Sequence, residues 1–308
     1  MKNFINIADI TSKDLRLILE EAKSRKSNRK NFNKSSPDSD KPFEGKSMAM
    51  IFEKPSTRTR MSFEIAVKQL GGSCITLNPD GIHYGKGDET LKDTAKVLTE
   101  YVDIVMLRTS SHKHLEEFGK HLSIPIINGL SDQSHPCQIM SDILTFEELK
   151  GPINNKIISW IGDGNNNMSN SLIEAAGKFN FKLNIGCPKK YSPNKRILKL
   201  AKKEKVKLTI TYKPLEAAKG ADCIMTDKWI SMNDKVNKAS KKKTLKPYQV
   251  NNRLMSKANS DAIFMHCLPV GRGEEVTNEV IDGKQSVVWR QALNRVHAQK
   301  SIIKWCLD

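Results

Sequence analysis

The sequence predicts an α/β protein built from two doubly wound domains with mainly parallel sheets. Two observations carry this. Apolar runs of strand length alternate with helix-period segments along the whole chain, and the alternation stops once, at Gly151-Pro152, before starting again. A length of 308 residues exceeds the usual single domain. The boundary at Gly151-Pro152 gives domains at 1–150 and 151–290, with a long closing helix after them.

The elements follow in order. Thr11 and Asp14 cap a helix to Ala22, with Leu15, Ile18, Leu19 and Ala22 as its apolar stripe. The basic, Asn- and Ser-rich tract from Ser24 to Lys41 reads as a solvated loop or a disordered one. Ser47–Phe52 is a buried strand, and a helix with Phe63, Ala66, Val67 and Leu70 on one face follows it to Gly71-Gly72. Strands are expected at 74–77, 103–107 and 125–128, with helices from Thr90 to about Tyr101, around 114–120 and after His135. The second half gives strands at 156–161, 182–186, 208–211, 222–225 and 262–265. Its helices run from the Asn165–Asn167 turn to Ala176, from a Ser192-Pro193 cap, from Pro214 to Lys219, and near Tyr248–Ala258. A lysine-rich loop is expected around Lys241-Lys242-Lys243, and Trp289–Leu307 reads as an amphipathic closing helix.

Composition narrows the class. The formal net charge is +17, yet no zinc finger or aromatic RNA-binding box accompanies it, so most of the excess reads as surface lysine rather than a nucleic-acid footprint. No apolar run approaches the roughly twenty residues of a membrane span, and Met1-Lys2-Asn3 does not open a signal peptide, so a cytoplasmic protein is expected. The six cysteines are scattered without a C-x-x-C pair, which suggests neither a disulfide framework nor a zinc site.

The polar clusters carry the chemistry. In Phe52–Arg60 a buried strand hands over to a helix start dense in hydroxyls and cations. Exposed backbone N–H groups there suit a phosphate. Ser56 can cap that helix, while Thr57, Arg58 and Thr59 add donors. Arg58 and Arg60 lie about 200° apart around a helix, so Arg58 is given to an anion and Arg60 to a structural pair. Arg108, after its strand, is either a surface cation or a planar fork for phosphate or an oxyanion. His135 and Gln138 are either a helix start or donors that polarise a carbonyl. Asp163 reads as a salt-bridge partner. The asparagines around Asn166 are turn residues or a carboxylate site. Asp227 either caps a turn or binds an ammonium, and Cys267 beside His266 is either a small buried hydrophobe or a nucleophile. All clusters sit at or just past strand ends, where open parallel sheets bind ligands. One active site between the domains is therefore expected, suited to an amino acid meeting a phosphorylated small molecule.

Taken together, F-E-K-P-S-T-R-T-R-M-S-F-E from Phe52, M-L-R-T from Met106, H-P-C-Q from His135, W-I-G-D-G-N-N from Trp160, D-K-W-I-S-M from Asp227, H-C-L-P from His266 and N-R from Asn294 resemble the ornithine carbamoyltransferases of the aspartate/ornithine transcarbamylase superfamily. The resemblance covers nearly the whole chain. It implies a carbamoyl phosphate-binding domain at 1–150, on which a C-terminal helix at 291–308 packs back, and an ornithine-binding domain at 151–290. It implies that Ser56, Thr57, Arg58, Thr59 and Arg108 bind carbamoyl phosphate, and that His135 and Gln138 hold the carbamoyl group. Cys267, Leu268 and Arg295 lie beside that group, and His83 reaches into a neighbouring subunit's site. Asn166, Asp227, Ser231 and Met232 bind ornithine. It further implies catalysis by Arg58, Arg108, His135, Cys267 and Arg295, with no cofactor and no metal, in a homotrimer or multiple of trimers that binds neither nucleic acid nor membrane. The product is citrulline, a step of arginine biosynthesis; the alternative is a relative that carbamoylates putrescine or another amine. Two departures stand out: the long basic Ser24–Lys41 tract, and Asn233 where Gly is common.

Overall fold

The computed structural model describes residues 1–77, 89–230 and 237–308. The chain divides into two compact units, one of residues 1–144 with 293–308, the other of residues 145–292.

In the first unit, strands β1 (Ser47–Phe52), β2 (Ser73–Leu77), β3 (Ile104–Arg108) and β4 (Ile126–Leu130) form a sheet in the order β2-β1-β3-β4, every pair parallel. The continuous apolar runs follow from this arrangement, since strands covered on both faces need no polar alternation. β1, β3 and most of β4 are buried, and only the edge strand β2 is substantially exposed. Helices α1 (Ser12–Ser27), α2 (Thr57–Gln69), α3 (Leu91–Tyr101) and α4 (His112–His121) belong to this unit. Ile51, Val105, Leu107, Leu98, Leu115 and Phe118 lie in one core cluster. At the outer edge, the buried Phe4 exchanges backbone hydrogen bonds with Ile126 and Asn128 beside β4.

In the second unit, β5 (Ile157–Ile161), β6 (Lys182–Gly186), β7 (Leu208–Thr211), β8 (Cys223–Thr226) and β9 (Ile263–His266) run parallel in the order β7-β6-β5-β8-β9. Helices α5 (Pro136–Lys150) and α12 (Val288–Leu307) contain the two unit boundaries. Between them lie α6 (Asn167–Phe179), α7 (Lys195–Lys203), α8 (Pro214–Ala218), α9 (Lys238–Leu245), α10 (Asn252–Met255) and α11 (Asn278–Ile281).

All nine strands expected from the apolar runs are present. Five readings need correction. The Ser24–Lys41 tract is neither disordered nor simply solvated: α1 continues to Ser27, and Arg25, Arg29 and Lys300 converge on the buried Asp38 at 3.0, 2.5 and 2.9 Å. The lysine-rich loop is the helix α9, capped by Asn237, whose side chain accepts from the Ser240 N–H. Its Lys241 is no surface lysine; it is 3% exposed and pairs with Asp163 at 2.6 Å. α7 is capped by Asn194, not Ser192, and the helix near Tyr248–Ala258 is a 3-10 turn followed by the single-turn α10.

Candidate active site

The strand order of the first sheet reverses between β1 and β3: the chain leaves β1 to form β2 on one side, then returns to form β3 on the other. Loops leaving such a pair diverge and open a crevice at the strands' carboxyl ends. Phe52 and Arg108 are register partners at that end, so the motif after β1 and the arginine closing β3 are neighbours. Ser56 caps α2, its Oγ accepting from the Thr59 N–H at 3.4 Å. Arg60 is drawn off to Glu64 at 2.8 Å, as its position on the helix predicts. Among the described residues nothing pairs with the half-buried Arg58.

Behind this helix start lies a web of buried polar groups. The Thr59 hydroxyl accepts from Arg108 Nη1 at 3.3 Å and from Arg295 Nη2 at 2.9 Å. Two accepted bonds use its lone pairs and leave its O–H to give. Arg295 Nη1 donates to Gln138 Oε1 at 3.0 Å, and Gln138 Nε2 donates to Asp142 Oδ1 at 2.8 Å. His135 is buried with them, and burial, then Arg295 and Arg108, hold its pKa well below that of a free imidazole. The ring is therefore neutral near pH 7, able to donate a hydrogen bond without adding charge.

Glu53, inside the same motif, was given no role by sequence reasoning. Its backbone N–H donates to the Arg108 carbonyl at 2.9 Å. Its carboxylate accepts from Thr109 Oγ1 at 2.5 Å and the Ser110 N–H at 3.2 Å, and faces His114 Nδ1 at 2.9 Å. Burial alone would raise its pKa; His114, Thr109 and Ser110 reverse that and lower it. Glu53 thus fixes the turn that leaves Arg108. The available signal was a carboxylate placed inside an otherwise cationic motif.

The second sheet reverses between β5 and β8. After β5 comes Asp163, bound to Lys241 and accepting from the Asn165 N–H at 2.8 Å. This is the salt-bridge role expected of it. Asn166 then caps α6: its Oδ1 accepts from the Ser169 N–H at 2.8 Å, and Ser169 Oγ accepts from the Asn166 N–H at 3.1 Å. The cap fixes the amide so that Nδ2 is left as a donor at a helix N-terminus, a favourable place for a carboxylate.

After β8, Asp227 Oδ1 accepts from the Lys228 N–H at 2.7 Å and from Cys267 Sγ at 3.1 Å. Cys267 follows β9 and is only partly buried. Its thiol donates to a carboxylate instead of to the neighbouring imidazole. His266 is engaged elsewhere: Nδ1 accepts from the Leu268 N–H at 2.9 Å, and Nε2 faces the buried Glu275 at 3.3 Å. A Cys-His nucleophile of the thiol-protease kind is not built here. Leu268 sits at φ 59°, a conformation costly for a side chain with a Cβ and held here by that bond to His266. Ligand-type atoms of Asp227, His266 and Cys267 lie within 4.8 Å of one another, and His266 Nδ1 and Asp227 Oδ1 are already engaged by the Leu268 N–H and by the Lys228 N–H and Cys267 thiol.

The structure therefore gathers Thr59, Arg108, His135, Gln138 and Arg295 in the first unit, beside the start of α2 that bears Ser56, Thr57 and Arg58. In the second it joins Asp227 to Cys267, with Leu268 next in the chain. Expected site residues His83, Ser231 and Met232, and the departure at Asn233, lie outside the described residues. Sequence reasoning missed Lys241 and Asp142. Lys241 was hidden in a lysine run; Asp142 lies one helical turn after Gln138, a spacing that marks a same-face neighbour.

Comparison with known proteins agrees with this architecture. Residues 2–148 match the model of the aspartate/ornithine carbamoyltransferase carbamoyl-P binding domain, and residues 154–306 match that of the Asp/Orn binding domain. The chain is 48% identical over 306 residues to an ornithine carbamoyltransferase of Rhizobium meliloti, covering 99% of this chain and 98% of the relative. It is 49% identical to one of Rhodopseudomonas palustris, covering 99% and 96%. Among solved structures it resembles the ornithine carbamoyltransferase from Pyrococcus furiosus, with TM-score 0.91, 42% identity and 98% and 96% coverage. It also resembles the anabolic enzyme from Campylobacter jejuni, with TM-score 0.89, 35% identity and 99% coverage of each chain.

Proposed function

The chain belongs to the aspartate/ornithine carbamoyltransferase family, and from the geometry of its two units we propose how it works. Its reaction is transfer of the carbamoyl group from carbamoyl phosphate to the δ-amine of L-ornithine, giving L-citrulline and phosphate. The observation that carries the mechanism is the Arg108–Thr59–Arg295–Gln138 web beside a neutral histidine at the β1/β3 switch point.

Carbamoyl phosphate binds there. Its phosphate takes the N-terminus of α2, the Ser56, Thr57 and Thr59 hydroxyls, and the guanidinium of Arg58. Arg108 spans the phosphate and the carbonyl oxygen. His135 and Arg295 donate to that oxygen, and Gln138 holds the carbamoyl end. When the amine adds to the carbonyl carbon, negative charge grows on this oxygen. Donors already held in place by Thr59 and Gln138 then stabilise it without reorganising. A neutral His135 suits this role, because a third permanent cation beside two arginines would repel both.

Ornithine binds at the β5/β8 switch point. Asn166 Nδ2 and the α6 N-terminus take its α-carboxylate, helped by Met232, while Asp227 and Ser231 take its α-ammonium. Cys267 and Leu268 border the δ-amine. That amine is protonated in water, near the lysine reference of about 10.4. It must lose its proton before it attacks, and departing phosphate is basic enough to accept a proton after addition. No covalent enzyme intermediate is required.

His83 of a neighbouring subunit completes each site in a homotrimer, or a multiple of trimers, located in the cytoplasm. Domains at 1–150 with 291–308 and at 151–290 correspond to the two substrates. No described helix is long and apolar enough to cross a membrane. A putrescine-using enzyme is not favoured, since putrescine has no carboxylate for Asn166. The deciding experiment is a citrulline-type colorimetric assay with carbamoyl phosphate and ornithine, aspartate or putrescine supplied separately. Ornithine alone should support turnover. Equal turnover of putrescine would overturn the carboxylate role of Asn166.

A further inference from the structure

Asp142 belongs to no substrate-binding motif, yet it is 2% exposed and stands at the end of the web that holds Arg295. A carboxylate seldom occupies such a place without a strong reason, because removing its charge from water is costly. The reason lies in the chemistry of its partner. A glutamine amide has two ends of nearly equal size, one accepting and one donating. Gln138 lies between Asp142 and Arg295, and the guanidinium can only donate. If the amide turned over, Nε2 would face Arg295 Nη1, donor against donor. Packing cannot prevent this, since both orientations fill the same space.

We propose that Asp142 is a positioning residue for carbamoyl transfer: its carboxylate, an obligate acceptor, fixes the Gln138 amide so that Oε1 faces Arg295. Arg295 is then gripped at both outer nitrogens, Nη1 by Gln138 at 3.0 Å and Nη2 by Thr59 at 2.9 Å. Thr59 in turn receives Arg108 at 3.3 Å. Orientation passes from a carboxylate remote from the reacting atoms, through one amide, to the guanidinium plane that meets the developing oxyanion. The buried negative charge also offsets part of the charge of two buried arginines before substrate arrives. The role rests on the placement of Gln138 and Arg295 at the carbamoyl end of the site.

Asp142→Asn tests it, because asparagine keeps the shape but can present either an acceptor or a donor, so Gln138 is left with Arg295 alone to direct it. Loss of one charge-assisted hydrogen bond predicts a fall in kcat of about tenfold to a hundredfold, with the ornithine KM little changed. A double-mutant cycle with Gln138→Ala separates positioning from general stability. If Asp142 acts through Gln138, Asp142→Asn should change kcat less than about twofold in the Gln138→Ala background. Additive losses, or an unchanged kcat with tighter carbamoyl phosphate binding, would overturn the role and leave Asp142 as a stabilising or charge-setting group. A Gln138→Ala enzyme with wild-type kcat/KM would instead remove the underlying placement of Gln138, and the proposal with it. Should the Asp142 variant not fold, neutron diffraction of the wild-type protein decides. Deuterons on the Gln138 nitrogen facing Asp142 are expected, and deuterons facing Arg295 would overturn the proposal.

Discussion

At the residue scale, Arg58 and the buried histidines are the sharpest tests. Arg58 lies in the first turn of α2, where no described residue competes for it. Arg58→Ala is expected to lower kcat/KM on the order of 10³-fold, a transition-state loss of about 4 kcal/mol. A loss below tenfold in steady-state assays would remove it from the phosphate site. The histidines bear on pH. His135 is depressed by burial, Arg295 and Arg108, and His297 is lowered to about 3 by burial, then Lys300 and Lys26. A folded-state pKa below the unfolded value of about 6.5 means that the folded chain binds fewer protons. Their contribution is thus complete above pH 6.5 and is lost as pH falls below it. Stability should decline by about 1.4 kcal/mol per pH unit for each histidine in that window. Urea unfolding at pH 7.5 and 5.5 checks this, and His297→Gln should flatten the slope.

At the scale of elements, the outcome shows what a sequence makes visible. The central strands were legible because buried parallel strands are nearly unbroken apolar runs, as in β1, β3 and β5, while the edge strands β2 and β7 show as shorter runs of β-branched residues mixed with polar ones. The candidate site's polar clusters were legible for the same reason: they lie at strand ends, which the runs mark. Helix α9 was not. Lys238–Leu245 has one aliphatic anchor, Leu245, and no apolar stripe. It is a helix because Asn237 caps it and because Lys241 reaches Asp163 and lies 5.2 Å from the Tyr191 ring centroid. Those partners are tertiary, and a lysine run gives no sign of which member will be buried. The prediction belongs to this helix. Lys241→Met leaves the Asp163 carboxylate buried without its cation and should cost about 3–5 kcal/mol in chemical denaturation. Adding Asp163→Asn should recover much of that loss. A single variant within 1 kcal/mol of wild type would show that the pair does not hold α9.

At the scale of the whole molecule, the high positive charge turns out to be partly internal. Arg25, Arg29 and Lys300 surround Asp38, and Lys241 is enclosed with Asp163, so these cations are not part of any surface that could attract a polyanion. Burial alone would raise the Asp38 pKa, but Lys300, Arg29 and Arg25 outweigh it and lower it. This cluster was hidden from the sequence because Asp38 and Lys300 are 262 positions apart. It joins the first and last helices within one unit, as does the bond from Trp305 Nε1 to Asp14, while the Phe4–Trp305 ring pair at 6.1 Å ties the last helix to the segment beside β4. A fragment ending at residue 150 therefore lacks the cation and the aromatic partner its own core expects. It should be rapidly cut by protease, and a peptide of residues 288–308 supplied in trans should slow the cutting. Resistance of the fragment alone would show that α12 is dispensable to it.

The meeting of both termini in one unit also bears on how the polypeptide emerges from the ribosome. Residues 1–144 are made first but are finished only when residues 293–308 leave the exit tunnel, after every residue of the other unit. Vectorial synthesis would ordinarily let the N-terminal part mature early. Here it must wait in an incomplete form, its Phe4 edge and Asp38 hollow uncovered, so chaperone capture of nascent chains should persist until residues 293–308 have emerged.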